Sequence, residues 1–127
     1  MKWLPSSHNL IFALFCLCAS LGCTFDKKEV PEPALPDTVS YNLNIQPMFN
    51  SICNNIGCHS GSSSSSGLNL TDSVSYYNLF LKHEIDTLNP TSSNLSRFMN
   101  SNMPPSGRIP YDVSLVLKWI EHGAKDN

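Results

Sequence analysis

The sequence predicts an all-α domain of short helices gathered round one bound group, and three observations predict it. Ile45, Met48, Phe49 and Ile52 fall at i, i+3, i+4 and i+7, and Val113, Val116, Leu117 and Ile120 repeat an apolar helical stripe near the C-terminus. Between them, Cys53-Asn54-Asn55-Ile56-Gly57-Cys58-His59 sets two thiols and an imidazole close together. The remaining chain is proline-rich at one end and serine-rich in the middle, so it offers little apolar core, and small domains of that kind need a staple.

The N-terminus reads as an export signal. Lys2 precedes an apolar run from Leu10 to Leu21, too short for a membrane span, and Ala19-Ser20-Leu21-Gly22-Cys23 resembles a lipobox, with Leu21 two residues before the cysteine where three is usual. Residues 1–22 are therefore expected to be a lipoprotein-type signal peptide, and Cys23 the lipidated residue. Removing 22 of 127 residues leaves one small domain; Lys2 is the only charge lost, so the net charge moves from −2 to −3. With no basic run, nucleic acid is not an expected partner. Residues 23–40 read as a tether, because Pro31, Pro33 and Pro36 favour an extended spacer of about 3 Å per residue, enough to hold residues 41–127 up to roughly 45 Å from a bilayer.

The first helix is expected between residues 44 and 52, with Pro47 in its first turn, and it delivers Cys53 from its end. Cys53 to His59 is a longer form of the Cys-x-x-Cys-His signature, in which two cysteines add across the vinyl groups of haem and the histidine binds iron. The vinyl positions are fixed, so two extra residues must loop outward, and Asn54, Asn55 and Gly57 tolerate the positive φ such a loop uses. Two other chemistries stay open for these residues. One is a short Cys53–Cys58 disulfide, natural in an oxidising compartment. The other is zinc, with His83 or His122 completing the set, although adjacent Cys58 and His59 diverge too much to share a tetrahedral ion readily.

Beyond the cysteines, 61–67 is a serine loop with no triad pattern. Thr71 is a candidate N-cap for a short helix with Val74, Tyr77, Leu79, Phe80 and Leu81 on its apolar side, and His83 after it reads as solvent-facing. Residues 92–99 form another short helix with Leu95, Phe98 and Met99 inward. Met103-Pro104-Pro105 follows as a rigid loop, where a thioether can reach an iron; Met103 as a core filler, Met99, His83 or an open position are the alternatives. The last helix, 111–122, carries Asp112 in its first turn and His122 in its last, with Gly123 as the residue that stops it. Trp119 belongs to the core, near the first helix or a haem propionate.

Cys53 to His59, Met103-Pro104-Pro105 and Trp119-Ile120-Glu121-His122-Gly123-Ala124, in that order, resemble the small single-haem cytochrome c domains of bacterial envelope lipoproteins, over about Tyr41 to Asn127. The resemblance implies a small cytochrome c-like fold whose first and last helices cross beside one covalent haem c. It implies thioethers to Cys53 and Cys58, His59 as proximal iron ligand and Met103 as distal ligand. It further implies a one-electron carrier in the cell envelope, on the periplasmic or surface side, held at the membrane by the lipid on Cys23. Such a carrier meets redox proteins transiently, acts on no small-molecule substrate and is not an enzyme. The alternatives are a haem domain accessory to a peroxidase or oxidase, and a disulfide-containing structural lipoprotein without haem.

Overall fold

In the computed structural model, which describes residues 31–62 and 64–127, the first helix opens on Ser40. Ser40 is extended (φ −92°, ψ 138°); its Oγ accepts from the Leu43 N–H at 3.2 Å, and its own N–H donates to Asn44 Oδ1 at 2.9 Å. This is a capping box widened by one residue, because the first turn, Tyr41–Ile45, is a π-turn. It runs on into α1, Gln46–Ile52, with Pro47 in the first turn as expected. Then come α2 (Ser75–Leu81), α3 (Asn94–Met99) and α4 (Pro110–Glu121), with 3₁₀ turns at Ser65–Gly67 and Pro90–Ser92. The protein is all-α, with no strand among the described residues. None of the described helices is long and apolar enough to cross a membrane. The expected signal peptide 1–22, the lipid-bearing Cys23 and tether residues 24–30 lie outside the described residues.

The core forms where the first and last helices meet. Tyr41, Ile45 and Phe49 pack in one apolar cluster with Val113, Val116, Trp119 and Ile120. The Tyr41 ring lies 5.2 Å from Trp119 and 5.1 Å from Tyr76. Trp119 is 1% exposed and its indole N–H donates to the Lys125 carbonyl at 2.9 Å. Trp119 thus packs against the first helix, one of the two surroundings expected for it. The chain end closes over this contact: the Asn42 N–H donates to the Asn127 carbonyl at 2.9 Å, and the Tyr41 N–H to Asn127 Oδ1 at 3.0 Å.

The packed unit starts earlier than the expected boundary at residue 41. It begins at Glu32; Val39 is buried, and Lys118 Nζ donates to the Pro36 carbonyl at 2.7 Å. Residues 32–40 of the expected tether are thus part of the domain.

Two helices end in the same way. At the end of α4, Gly123 (φ +91°) gives its N–H to Ile120 O at 2.9 Å and Ala124 gives its N–H to Trp119 O at 3.0 Å, a Schellman stop with the small apolar Ala124 buried behind it. At the end of α2 the same pair of bonds runs from His83 to Phe80 O (3.0 Å) and from Glu84 to Leu79 O (2.8 Å), with His83 at φ +56° in the glycine-like place.

The apolar side expected for the α2 segment is corrected. The helix begins at Ser75, Thr71 makes a turn in place of a cap, and Ser75, Tyr76 and Leu79 point inward while Tyr77 and Leu81 are exposed. A buried polar network sets that rotation. Tyr41 Oη donates to Ser75 Oγ at 2.7 Å, Ser75 Oγ bonds Gln46 Oε1, and Gln46 Nε2 donates to Leu70 O at 3.1 Å and Asp72 Oδ1 at 2.9 Å. Losing those partners inside the core costs more than exposing an apolar ring. Burial pushes the Tyr41 phenol up to about 12, so it remains a donor at any physiological pH.

Candidate functional site

Cys53 is held by the last turn of α1, its N–H donating to Phe49 O at 2.9 Å. Its carbonyl then accepts from the His59 N–H at 3.2 Å, which ties the two ends of the cysteine loop together. Between them the Cys58 N–H donates to Asn55 O at 2.9 Å, and Ile56 stands outward, 99% exposed. The extra residues therefore bulge into solvent as expected, but only Gly57 (φ +82°) takes the left-handed conformation; Asn54 and Asn55 do not.

Both thiols are unbridged. Burial pushes the Cys53 thiol up to about 12, with the Asp112 carboxylate and Cys58 adding to the effect. A thiol so rarely ionised is a poor nucleophile at neutral pH. In haem-free protein, Cys53 is expected to react with iodoacetamide at least about tenfold more slowly than an unstructured peptide thiol, as read by mass-resolved alkylation. Labelling at the peptide rate would show an open thiol.

His59 Nδ1 lies 3.1 Å from the carbonyl oxygen of Leu68. A carbonyl only accepts, so Nδ1 carries the proton and donates, and the Nε2 lone pair is left for another partner. The backbone holds this arrangement from both sides: the Leu70 N–H donates to His59 O at 2.8 Å and the Ser65 N–H to Cys58 O at 2.6 Å. The serine segment is correspondingly less loose than its composition implied, since its 3₁₀ turn is part of the wall.

These residues border a cleft of about 290 Å³. Cys53, Cys58 and His59 line it from the cysteine loop, Leu95, Phe98 and Met99 from α3, and Met103 with its two prolines from the loop beyond. Every residue singled out in the sequence as holding the haem therefore borders one mainly apolar space. Met103 is half-buried and its N–H donates to Phe98 O at 2.8 Å, whereas Met99 is 4% exposed and belongs to the core. His83 is exposed and is not among the lining residues, which removes it as a ligand alternative, and Trp119 does not border the cleft either. No three His, Cys, Asp or Glu side chains converge on a metal position among the described residues, so the zinc set is not assembled.

One lining residue had no signal in the sequence. Glu84 is half-buried and is the only carboxylate bordering the cleft among the described residues. Burial raises its carboxyl above the ordinary range, and His59 pulls the other way. Its stabilising effect is thus greatest when protonated and fades as pH climbs from the unfolded value through the folded one.

The donor set fits a covalently bound haem: two free thiols, an imidazole whose other nitrogen is already tied to a carbonyl, a loop thioether and apolar walls. Comparison of the chain with protein-family models, curated proteins and solved structures found no match.

Proposed function

We propose that this chain is a c-type cytochrome, a one-electron carrier of the cell envelope. In this reading one haem c is bonded to Cys53 and Cys58, His59 and Met103 hold the iron, and lipid on Cys23 keeps the domain at the membrane. The observation that carries the reading is His59 Nδ1, 3.1 Å from the Leu68 carbonyl, on the wall of a cleft that both thiols and Met103 also line. Metal-binding histidines are commonly oriented in this way, by a second partner that fixes the tautomer and strengthens the ligating nitrogen.

Bound there, the haem supplies a reversible one-electron couple, and pairing histidine with methionine raises its potential above that of a bis-histidine site. The chain's own work is positional. The Leu68 carbonyl aims the imidazole, the cysteine loop presents two thiols from one short segment, and Leu68, Leu70 and Leu95 give the cleft an apolar wall. With protein groups on both faces there is no place for a small-molecule substrate and no acid–base role for any side chain. Electron donors and acceptors are met as proteins, through a small and transient interface.

The test is to express the full chain with a cytochrome c maturation system and measure the intact mass and reduced haemochrome spectrum after denaturation. One haem retained through denaturation supports the reading. A haem-free mass two hydrogens below the reduced value would mean a Cys53–Cys58 disulfide and would end it.

A further inference from the structure

Helix α2 is apolar on two sides. Ser75 and Leu79 are turned into the core, and the polar network that holds Ser75 fixes the rotation. That network does not account for the far side, where Tyr77, Phe80 and Leu81 stand at i, i+3 and i+4 with 66%, 38% and 53% of their surface exposed. Single apolar side chains on a surface are ordinary, but three on one helical face form a stripe. Lys82 follows at the end of it, also exposed. The carboxylates that flank the helix are engaged on other sides: Asp72 accepts from Gln46 Nε2 at 2.9 Å, and Glu84 borders the cleft. The stripe is separate from the cleft, since none of its three residues lines it.

We propose that this stripe is a lipid-docking face, which lays the domain on the bilayer that holds the lipid of Cys23. The inference rests on the anchored reading above. The packed unit begins at Glu32, nine residues beyond Cys23, so anchor and body are joined by at most roughly 30 Å of chain, however it is arranged. That is well short of the reach expected for a tether ending at residue 40. The chain also arrives beside α2. It enters the first helix at Tyr41, whose ring lies 5.1 Å from Tyr76, and Tyr76 lies 5.0 Å from Phe80.

The size and chemistry of the stripe select a bilayer over a protein. Its three side chains expose roughly 300 Å², against about 800 Å² per partner in a stable protein interface. A tethered face needs no more, because the anchor makes docking intramolecular, at an effective concentration on the order of millimolar. Tyr77 carries a hydroxyl on an aromatic body, the form of side chain that settles at a membrane–water boundary. Phe80 and Leu81 enter the acyl side of that boundary, while Lys82 offers its ammonium to a lipid phosphate and lays its methylene stem along the stripe.

The experiment puts the photoreactive residue p-benzoylphenylalanine in place of Tyr77, and separately in place of Ile56, in the full chain. The protein is exported and processed in cells, then reconstituted in vesicles of phosphatidylcholine and phosphatidylglycerol. Illumination and mass spectrometry read what each position touches. Position 77 is expected to give at least about fivefold more lipid adduct than position 56, which stands outward on the cysteine loop. Leu81→Glu combined with Lys82→Glu, both at exposed positions where substitutions cost little stability, brings position 77 down to the level of position 56. Equal yields at the two positions, lipid adducts at 77 that survive the double substitution, or adducts at 77 to a second copy or another protein in place of lipid would overturn the proposal while leaving the anchor standing. An intact mass without lipid on Cys23 would overturn both.

Discussion

Met103→Ala is expected to abolish the thioether-to-iron charge-transfer absorption and to lower the reduction potential, within the roughly 0.8 V that axial ligands command. Two methionines border the cleft, and their packing separates them. Met99 sits on α3, 4% exposed, in the same apolar cluster as Leu95 and Val116. Turning its side chain out of that cluster would leave a void, at a cost of about 2–5 kcal/mol by analogy with large-to-small core changes. Met103 has no such commitment: it lies half-buried on a loop pinned to α3 through its own N–H and followed by two prolines. Met99→Leu, which conserves volume and costs less than about 1.5 kcal/mol, should therefore keep the absorption band. A band that survives Met103→Ala and vanishes in Met99→Leu would give the iron to the helix methionine.

Trp119→Ala should cost about 3–5 kcal/mol of unfolding free energy, a large part of the 5–15 kcal/mol typical of a whole domain. The indole fills the junction of first and last helices, touching Tyr41 and Tyr76, and its N–H satisfies the Lys125 carbonyl just past the stop of α4. Truncation leaves a cavity, two aromatic rings without their neighbour and an unpaired carbonyl. Trp119→Phe retains most of the volume and should lose only a fraction of that amount. Chemical denaturation followed by circular dichroism measures both. A loss under about 1 kcal/mol for the alanine variant would mean that the pairing of the terminal helices is not a principal source of stability.

How far these features were legible depended on which atoms carry them. The stripes in α1 and α4 were readable because side chains at i, i+3, i+4 and i+7 must share a face, and Gly123 because only a few residues accept its backbone. Cys53, Cys58, His59 and Met103 could be singled out by residue type and order, and they border one cleft, although disulfide, zinc and core-filling uses stayed open in the sequence. What stayed hidden was mostly main chain. The Leu68 carbonyl that orients His59, the π-turn opened by Ser40 and the hydrogen bonds that tie the serine segment to Cys58 belong to backbone groups every residue possesses. The rotation of α2 was misjudged because Tyr77, Phe80 and Leu81 were weighed for apolarity, while the helix answers to Ser75, whose hydroxyl is drawn into the buried bonds of Tyr41 and Gln46. Glu84 was hidden because nothing in its residue type tells a wall from a surface.

The outward bend of the cysteine loop also makes it the natural place to handle this molecule. Ile56 projects almost wholly into water, and no atom stands within 4 Å of where a Cβ on Gly57 would sit. A bulky noncanonical amino acid at position 56 would meet no neighbour to displace, and the entropy of closing a longer loop grows only logarithmically with its length. A reporter side chain there would stand in solvent, one residue from the Gly57 edge of the cleft.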